Sequence, residues 1–315
     1  MTHNGCKHTI HAANEHLKWS NAHPPVTTVA PGDVLEFTEM DAVCGQLSAS
    51  STAADIATLD FERVNPIVGP IYVDGAEPGD ALKVTLLEFA PSGWGWTGII
   101  PGFGLLADEF PDPALNIWHY DRGFGSPTLF SSVAKIPLRP FCGIVGVAQA
   151  APGEFSTVPP YHTGGNMDTR DLARGVELYL PVEVPGALFC LGDPHAAQGD
   201  GEVCGTAIES PMGATVKLEL VKGENLRFPR FVTHEPVTRH IDSRGYEATM
   251  GIGPDLLTAS RDAVRGMIDR LSKLHGLSAP DAYMLCSVAG DLRINEIVDV
   301  PNFVVSFYMP RQIFD

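Results

Sequence analysis

The sequence of 315 residues has few cysteines, no long apolar run and little positive charge, and each shortage excludes a class of protein. Its six cysteines form no C-x-x-C pair, which argues against a zinc ribbon or a redox dithiol and favours reduced thiols. No apolar stretch approaches the roughly 20 residues of a membrane helix. Residues 1–20 hold several His and Lys and no apolar core of a signal peptide, so we expect a cytoplasmic protein.

The shortage of positive charge is large. The chain has 21 Lys and Arg against 38 Asp and Glu, a formal net charge of −17. Such a surface repels the phosphates of nucleic acids and the anionic headgroups of lipids. We therefore expect a small-molecule ligand, and neither nucleic acid nor a membrane as a partner.

Glycine and proline are abundant, with 32 and 26 copies. They predict many turns and short elements, which suits a strand-rich protein better than a helical bundle. Apolar and polar residues alternate in Ala81–Phe89 and in Thr215–Val221, the period of half-buried strands. With 44% hydrophobic residues, the chain can bury a large core. The composition predicts a mainly β fold, and the C-terminal patterns below add a smaller α+β part.

The clearest helical pattern lies near the C-terminus. Apolar residues recur at helical spacing in Val264–Leu274, with Ser260 placed to cap the helix and Gly276 to end it. A second helix is predicted over Ser278–Ala289, because Pro280 suits a first helical turn.

Two strands, Leu292–Val298 and Phe303–Tyr308, are predicted to close the chain. The second has apolar residues on both faces, which favours a homodimer or a larger symmetric assembly. We predict a β-rich lobe at residues 1–250 and an α+β segment at 251–315, packed together as one compact unit.

The segment Pro91–Arg122 carries much glycine, proline and aromatic residue and is interpreted as a long loop. Loops of this length inside a compact protein are often functional. Trp94 and Trp96 share a face if the chain is extended. With Phe103 they either line a pocket or simply pack in the core.

The densest polar run is Gly192–Glu202, which directly follows the apolar run Ala187–Leu191. Asp193 and His195 are two residues apart and point the same way on an extended backbone. A carboxylate and an imidazole on one face make half of a divalent-metal site. A polar turn between two strands would explain the same residues.

A second polar cluster is Tyr161–Asp168, in which Asn166 and Asp168 share a face if extended. The alternative is an Asx-rich cap for a helix that begins near Leu172. Elsewhere, Asp41 stands near apolar neighbours and needs a partner, which a cation or an arginine would supply.

Several of these segments together resemble the acetamidase/formamidase family, in order and in spacing. The segments are Asn65–Pro70, Val73–Asp80, Gly165–Asp168, Leu178–Val182, and Gly192–Glu202 with Ile208–Glu209 after it. The resemblance implies a β-sandwich or barrel with a small α+β part, in a cytosolic, oligomeric and usually metal-containing protein. It also implies hydrolysis of formamide, acetamide or a related small linear amide.

The same resemblance implies roles for individual residues. The implied metal ligands are Asp41, Asp193 and His195, with Asp168 as a further ligand, for zinc or, alternatively, calcium. Glu202 is the implied general base, although it would serve equally as a ligand or an ion-pair partner. In amide hydrolysis by a metal-activated water, Asn166 or Gln198 would donate a hydrogen bond to the oxyanion. The candidate site residues are therefore Asp41, Asn166, Asp168, Asp193, His195, Gln198 and Glu202.

Two other functions fit the sequence. A non-catalytic, calcium-stabilised β-sandwich binding module would also be rich in strands and acidic ligands. The same enzyme fold would also serve a carbamate, a urea derivative or a larger amide.

Overall fold

The computed structural model describes residues 6–314, whose strands are numbered β1 to β22 in chain order. The two segments with alternating polarity form neighbouring antiparallel strands, so both predictions are confirmed. They belong to a six-stranded sheet in the order β1 (Lys7–His11), β5 (Val34–Met40), β18 (Met212–Val221), β7 (Ala81–Pro91), β16 (Glu177–Pro181) and β19 (Arg230–Val232). Only β1 and β5 run parallel within it.

A second sheet carries the polar clusters. Its order is β14 (Pro160–Tyr161), β15 (Gly164–Asn166), β12 (Phe141–Gly146), β17 (Phe189–His195), β6 (Ile67–Val73) and β2 (Glu15–His16), with β4 (Thr27–Val29) also on β6. The two sheets pack face to face. Phe37 of the first meets Phe189 of the second edge-on, with ring centroids 6.1 Å apart, and both rings are fully buried. Because β17 lies in the interior of its sheet, all seven of its residues are buried.

The segment Pro91–Arg122 is not one long loop, so that interpretation was wrong. It contains two antiparallel strands, β8 (Trp94–Ile99) and β9 (Ala114–His119). Aromatic and β-branched residues stabilise this pairing in spite of the glycines. Two further pairs are β3 (Lys18–Trp19) with β13 (Phe155–Ser156) and β10 (Thr128–Phe130) with β11 (Ala134–Ile136).

The helices are α1 (Ala53–Ile56), α2 (Leu256–His275) and α3 (Ala279–Ala289). Both C-terminal helices are confirmed, and Gly276 ends α2 in the left-handed conformation with φ +67°. The predicted cap at Ser260 was wrong. The side chain of Asp255 accepts the backbone N–H of Thr258 and starts the helix one turn earlier.

The C-terminal strands form a third sheet in the order β20 (Tyr246–Gly253), β22 (Phe303–Pro310) and β21 (Asp291–Glu296). Its inner face packs on α2, and these side chains belong to the same hydrophobic cluster as the two large sheets. The predicted boundary at residue 250 falls inside β20, so the two-lobe division stays a prediction. The mainly β architecture is confirmed. In the described part of the chain, no helix is long and apolar enough to cross a membrane.

Candidate active site

Asp193 and His195 lie on β17, where the two-residue spacing places both side chains on the same face. The neighbouring strand β12 runs past this face, and its Gly143 has no side chain, which leaves room for the carboxylates. A Cβ at Gly143 would lie 2.5 Å from an oxygen of Asp168 and 2.7 Å from an oxygen of Asp193. The strand pair therefore forms a cradle that any side chain at position 143 would fill.

His195 is fully buried and is held in one orientation. Its Nδ1 lies 3.0 Å from Oε1 of Gln198, whose amide nitrogen donates to the carbonyl of Asp168. Because Oε1 only accepts, Nδ1 carries the hydrogen. Nε2 then faces an oxygen of Asp193 at 3.3 Å and an oxygen of Glu209 at 3.0 Å.

Four carboxylate side chains meet around this imidazole and form with it a cluster of five residues. One atom each from Asp168, Asp193 and His195 lies within 4.8 Å of the others, and so do atoms of His195, Glu202 and Glu209. Four carboxylates and one imidazole form a donor set that suits zinc and other transition ions better than calcium, which prefers oxygen ligands alone.

Three atoms of this cluster are buried without a hydrogen-bond partner: Oδ1 of Asp168, Nε2 of His195 and Oε2 of Glu209. The short contacts of Nε2 do not have the geometry of a hydrogen bond. A buried polar atom without a partner is costly. A divalent cation would satisfy Nε2 of His195 together with an oxygen of Asp168 or with an oxygen of Glu209, so the residues fit a metal ion.

The charges within the cluster support the same conclusion. Burial, together with Asp193 and Glu209, raises the pKa of Asp168 to about 7 against the opposing effect of His195. Burial and the neighbouring Asp168 raise the pKa of Glu202 well above its ordinary value. So many carboxylates cannot all ionise in a buried space unless a cation balances them.

Three residues of the cluster have a strained backbone. Asp168, Asp193 and Glu202 have φ of 44°, 53° and 42°, in the left-handed region that non-glycine residues rarely adopt. Such strain persists where the surrounding structure fixes the backbone, and it clusters at functional sites.

A buried ion-pair network joins the two loops that bring Asp168 and Glu202 into the cluster. Arg170 forms a bidentate pair with the fully buried Asp291, and its Nε lies 3.2 Å from an oxygen of Asp200. Arg170 and Asp200 each stand two residues from a cluster carboxylate. The network therefore fixes both loops relative to each other.

The other residues predicted from the sequence have different surroundings. Asp41 is in neither three-residue grouping, and its carboxylate accepts the backbone N–H groups of Val43 and Gly45, each at 3.0 Å. The amide nitrogen of Asn166 donates to the carbonyl of Val158 at 2.9 Å. The amide of Gln198 orients His195.

Sequence reasoning missed two residues. Glu209 was noted only at the end of a family-like run, and its backbone pairs with both Trp96 and His195. Gly143 sits in the apolar run Phe141–Gly146, where no local signal separates it from an ordinary strand glycine. Both reach the cluster through strand pairing over long sequence distances.

The cluster lies at the base of a cavity of about 910 Å³. Asn166, Asp168, Asp193, Gln198, Glu202 and Glu209 line its polar part, and the rest of the wall is mostly apolar. Trp96 and Phe103 line the cavity, while Trp94 packs against the hydrophobic cluster beside it.

The family model of the acetamidase/formamidase family matches residues 5–153 and 148–315. A formamidase from Methylophilus methylotrophus is 28% identical over 368 aligned positions, which cover 95% of this chain and 89% of that protein. An acetamidase from Mycolicibacterium smegmatis is 30% identical over 269 positions, 66% of each protein.

Solved structures share the fold over nearly the whole chain. A gamma lactamase from Delftia acidovorans has a TM-score of 0.88 at 28% identity, with 96% of this chain and 90% of that chain covered. An acetamidase from Bacillus halodurans has a TM-score of 0.68 at 30% identity, with 96% and 97% covered. The chain therefore belongs to the acetamidase/formamidase family of amidohydrolases.

Proposed function

We propose that the protein hydrolyses the C–N bond of a linear primary amide to a carboxylate and ammonia, with water activated at the five-residue cluster. The observation that carries this proposal is the set of unpartnered buried atoms at the base of a large cavity. Family membership supports amide hydrolysis, and the donor set supports the use of a metal-bound water. The imidazole in the donor set argues against the alternative of a non-catalytic calcium-binding module.

Asp168, Asp193 and His195 would hold the divalent ion, with Glu209 beside His195, and the imidazole among these residues favours zinc. When bound, such an ion lowers the pKa of a water towards about 7 and polarises the amide carbonyl. Asp41 also remains a proposed ligand, because each of its carboxylate oxygens accepts one backbone hydrogen bond and keeps a further lone pair.

The remaining chemistry belongs to the chain's own residues. Glu202 accepts the proton of the attacking water and returns it to the leaving nitrogen. Burial raises the pKa of Glu202, and a bound divalent cation would oppose this rise and keep the carboxylate ionised, as a base requires. Gln198 keeps the hydrogen of His195 on Nδ1 and so leaves Nε2 free to bind the ion. Asn166 stays a candidate hydrogen-bond donor to the oxyanion through its second amide hydrogen.

We also propose a homodimer or larger assembly and a cytoplasmic location. The unpaired state of all six cysteines agrees with a reducing compartment. Apolar side chains exposed on the C-terminal sheet support self-association.

The experiment is ammonia release from formamide and acetamide, before and after chelation, together with the metal content of the purified protein. His195→Ala should lose both bound metal and activity while it keeps its fold. His162→Ala, a half-exposed histidine paired with Glu183, is the matched control and should keep both. A full equivalent of metal on His195→Ala would remove this residue from the metal site, and activity that survives complete chelation would contradict the mechanism.

A further inference from the structure

We infer that the preferred substrate carries an apolar acyl group of several carbon atoms, an inference that rests on the proposed hydrolysis of primary amides. Its basis is the shape and chemistry of the cavity above the carboxylate cluster. The inference names the substrate class and the side chains that select it.

The cavity is far larger than the reacting group. Its volume of about 910 Å³ lies in the range of pockets that enclose drug-sized ligands, roughly 300–1,000 Å³. Formamide or acetamide would leave most of it to water. The apolar part of the wall comprises Leu59, Phe61, Val64, Trp96, Ile100 and Phe103.

This wall is rigid and stands beside the reacting atoms. Trp96 and Glu209 exchange two backbone hydrogen bonds of 2.8 and 2.9 Å, so the indole is fixed next to a cluster carboxylate. Trp96 and Ile100 belong to a hydrophobic cluster separate from the central core. The amide of Gln46 bonds the backbone of Asp60 and Arg63 and so holds the segment that carries Leu59, Phe61 and Val64.

Two aromatic rings at the cavity are left open to solvent. Phe61 and Phe103 both line the cavity and are 50% and 42% exposed, so the cavity offers uncovered aromatic surface. The ring of Phe103 packs against the backbone of Gly205, where a Cβ would come within 2.5 Å of the ring. An acyl chain bound against these rings would cover them and gain their apolar contact.

The distribution of polar groups in the cavity indicates how the substrate is oriented. The carboxylates and amides sit at the base, where the leaving nitrogen needs a proton. Among the described residues that line the cavity, none is Lys or Arg, so nothing there recognises a substrate carboxylate. A primary amide therefore places its nitrogen and carbonyl at the base and its carbon chain along the apolar wall.

The test is the series acetamide, propionamide, butyramide, valeramide and hexanamide with the metal-loaded protein, measured as ammonia release. Burial of each added CH2 should raise kcat/KM about three- to fourfold, or roughly a hundredfold across the series. A flat or falling series with clear turnover of acetamide would overturn the inference and leave the proposed function intact. No ammonia from any amide would instead overturn the proposed function.

Single substitutions test which side chains select for the length of the acyl chain. Phe103→Ala should lower the ratio of kcat/KM for hexanamide to that for acetamide by about fivefold or more. Phe228→Ala, an exposed phenylalanine outside the cavity, is the matched control and should leave the ratio unchanged. If Phe103→Ala does not fold, Val64→Ala trims the same wall. Unchanged ratios in the folded cavity variants would refute the assignment of this wall to the acyl chain.

Discussion

Gln198 determines which nitrogen of His195 carries the hydrogen, and Gly143 determines whether Asp168 and Asp193 can approach that histidine. Both are neutral residues that act through the positions of charged ones. A glycine on β12 is required because carboxylate oxygens occupy the volume of its missing Cβ. At the residue scale, the site therefore depends on empty volume as much as on its ligands.

Gly143→Ala tests this dependence. The added methyl group would overlap the oxygens of Asp168 and Asp193, so at least one carboxylate must turn away. We expect loss of bound metal and at least a hundredfold loss of kcat, with most of the fold retained. Gly175→Ala, whose Cβ would meet nothing within 4 Å, controls for the substitution itself, although its φ of +87° adds some strain. Normal metal content in Gly143→Ala, measured by elemental analysis, would contradict the packing argument.

Glu202→Gln tests the general base. The amide keeps the size of the side chain and one acceptor oxygen but takes up no proton near neutral pH. We expect kcat to fall about 100- to 10,000-fold, with a small change in KM and metal near one equivalent. Steady-state kinetics and metal analysis separate the outcomes. Simultaneous loss of metal would make Glu202 a ligand, and near-normal turnover would remove it from the mechanism.

At the scale of elements, a buried ion pair holds the loops of the site, and a similar set of polar contacts holds a tight turn elsewhere in the chain. Arg170 with Asp291 ties the loop after β15 to β21 and α3. Asp80 stabilises the turn before β7, outside the cluster. It accepts hydrogen bonds from Lys222 and from the backbone of Glu77 and Gly223.

Asp291→Ala should be strongly destabilising because it leaves the guanidinium of Arg170 buried without its main partner. We expect the free energy of unfolding to fall by about 3–5 kcal/mol. Urea denaturation of the chain measures it. The double variant Arg170→Met with Asp291→Leu removes both charges and should recover much of the loss. A change below about 1 kcal/mol in Asp291→Ala would show that water replaces the missing carboxylate.

Asp80 gives a pH prediction. Burial raises its pKa, but the hydrogen bonds from Lys222, Glu77 and Gly223 outweigh burial and hold the pKa below its ordinary value of 3.8. Its stabilisation is therefore complete above about pH 4 and is lost as pH falls through the lower pKa of the folded state.

Asp80→Asn should accordingly cost about 1–3 kcal/mol at pH 7, and the difference from the parent protein should shrink in acid. Thermal unfolding from pH 7 down to pH 3 measures this difference. The exposed Asp112→Asn is the control and should show no such trend. A difference that stays constant down to pH 3 would mean that the charge of Asp80 is not what stabilises the turn.

At the scale of the whole molecule, the C-terminal sheet presents an apolar outer face. Met250 and Ile252 on β20 are 62% and 61% exposed, whereas the inner side chains of β22 are buried against α2. The exposed apolar side chains lie on the strands that flank β22, because Ile294 on β21 is also 60% exposed while no residue of β22 itself is exposed. A second copy is the simplest partner for this outer face.

We expect light scattering at micromolar concentration to give at least twice the chain mass of 33.8 kDa. Met250→Lys combined with Ile252→Lys should shift the mass towards the monomer, because charges oppose burial of this face. Leu257→Lys, which is 63% exposed on α2, is the control and should leave the mass unchanged. A monomer from the unmodified chain would contradict the proposed assembly.

The sequence by itself determined the class of fold and much of the candidate site. Strand alternation, the two C-terminal helices and the pairing of Asp193 with His195 depend on spacing within one element, which the local backbone dictates. The cap of α2 was predicted at Ser260, but Asp255 caps the helix instead. The β8–β9 pair was interpreted as a loop, because the pairing of two strands outweighs the local preference of their glycines.

Only the tertiary structure decided which distant residues join the site. Glu209 and Gly143 reach His195 through strand pairing. Asp41 is in neither three-residue grouping, yet burial and the nearby Asp193 raise its pKa, and its role as a ligand stays a prediction. The apolar cavity is likewise assembled from segments far apart in the chain. Pairing between distant strands is set by burial of the whole core, so no short segment of sequence encodes it.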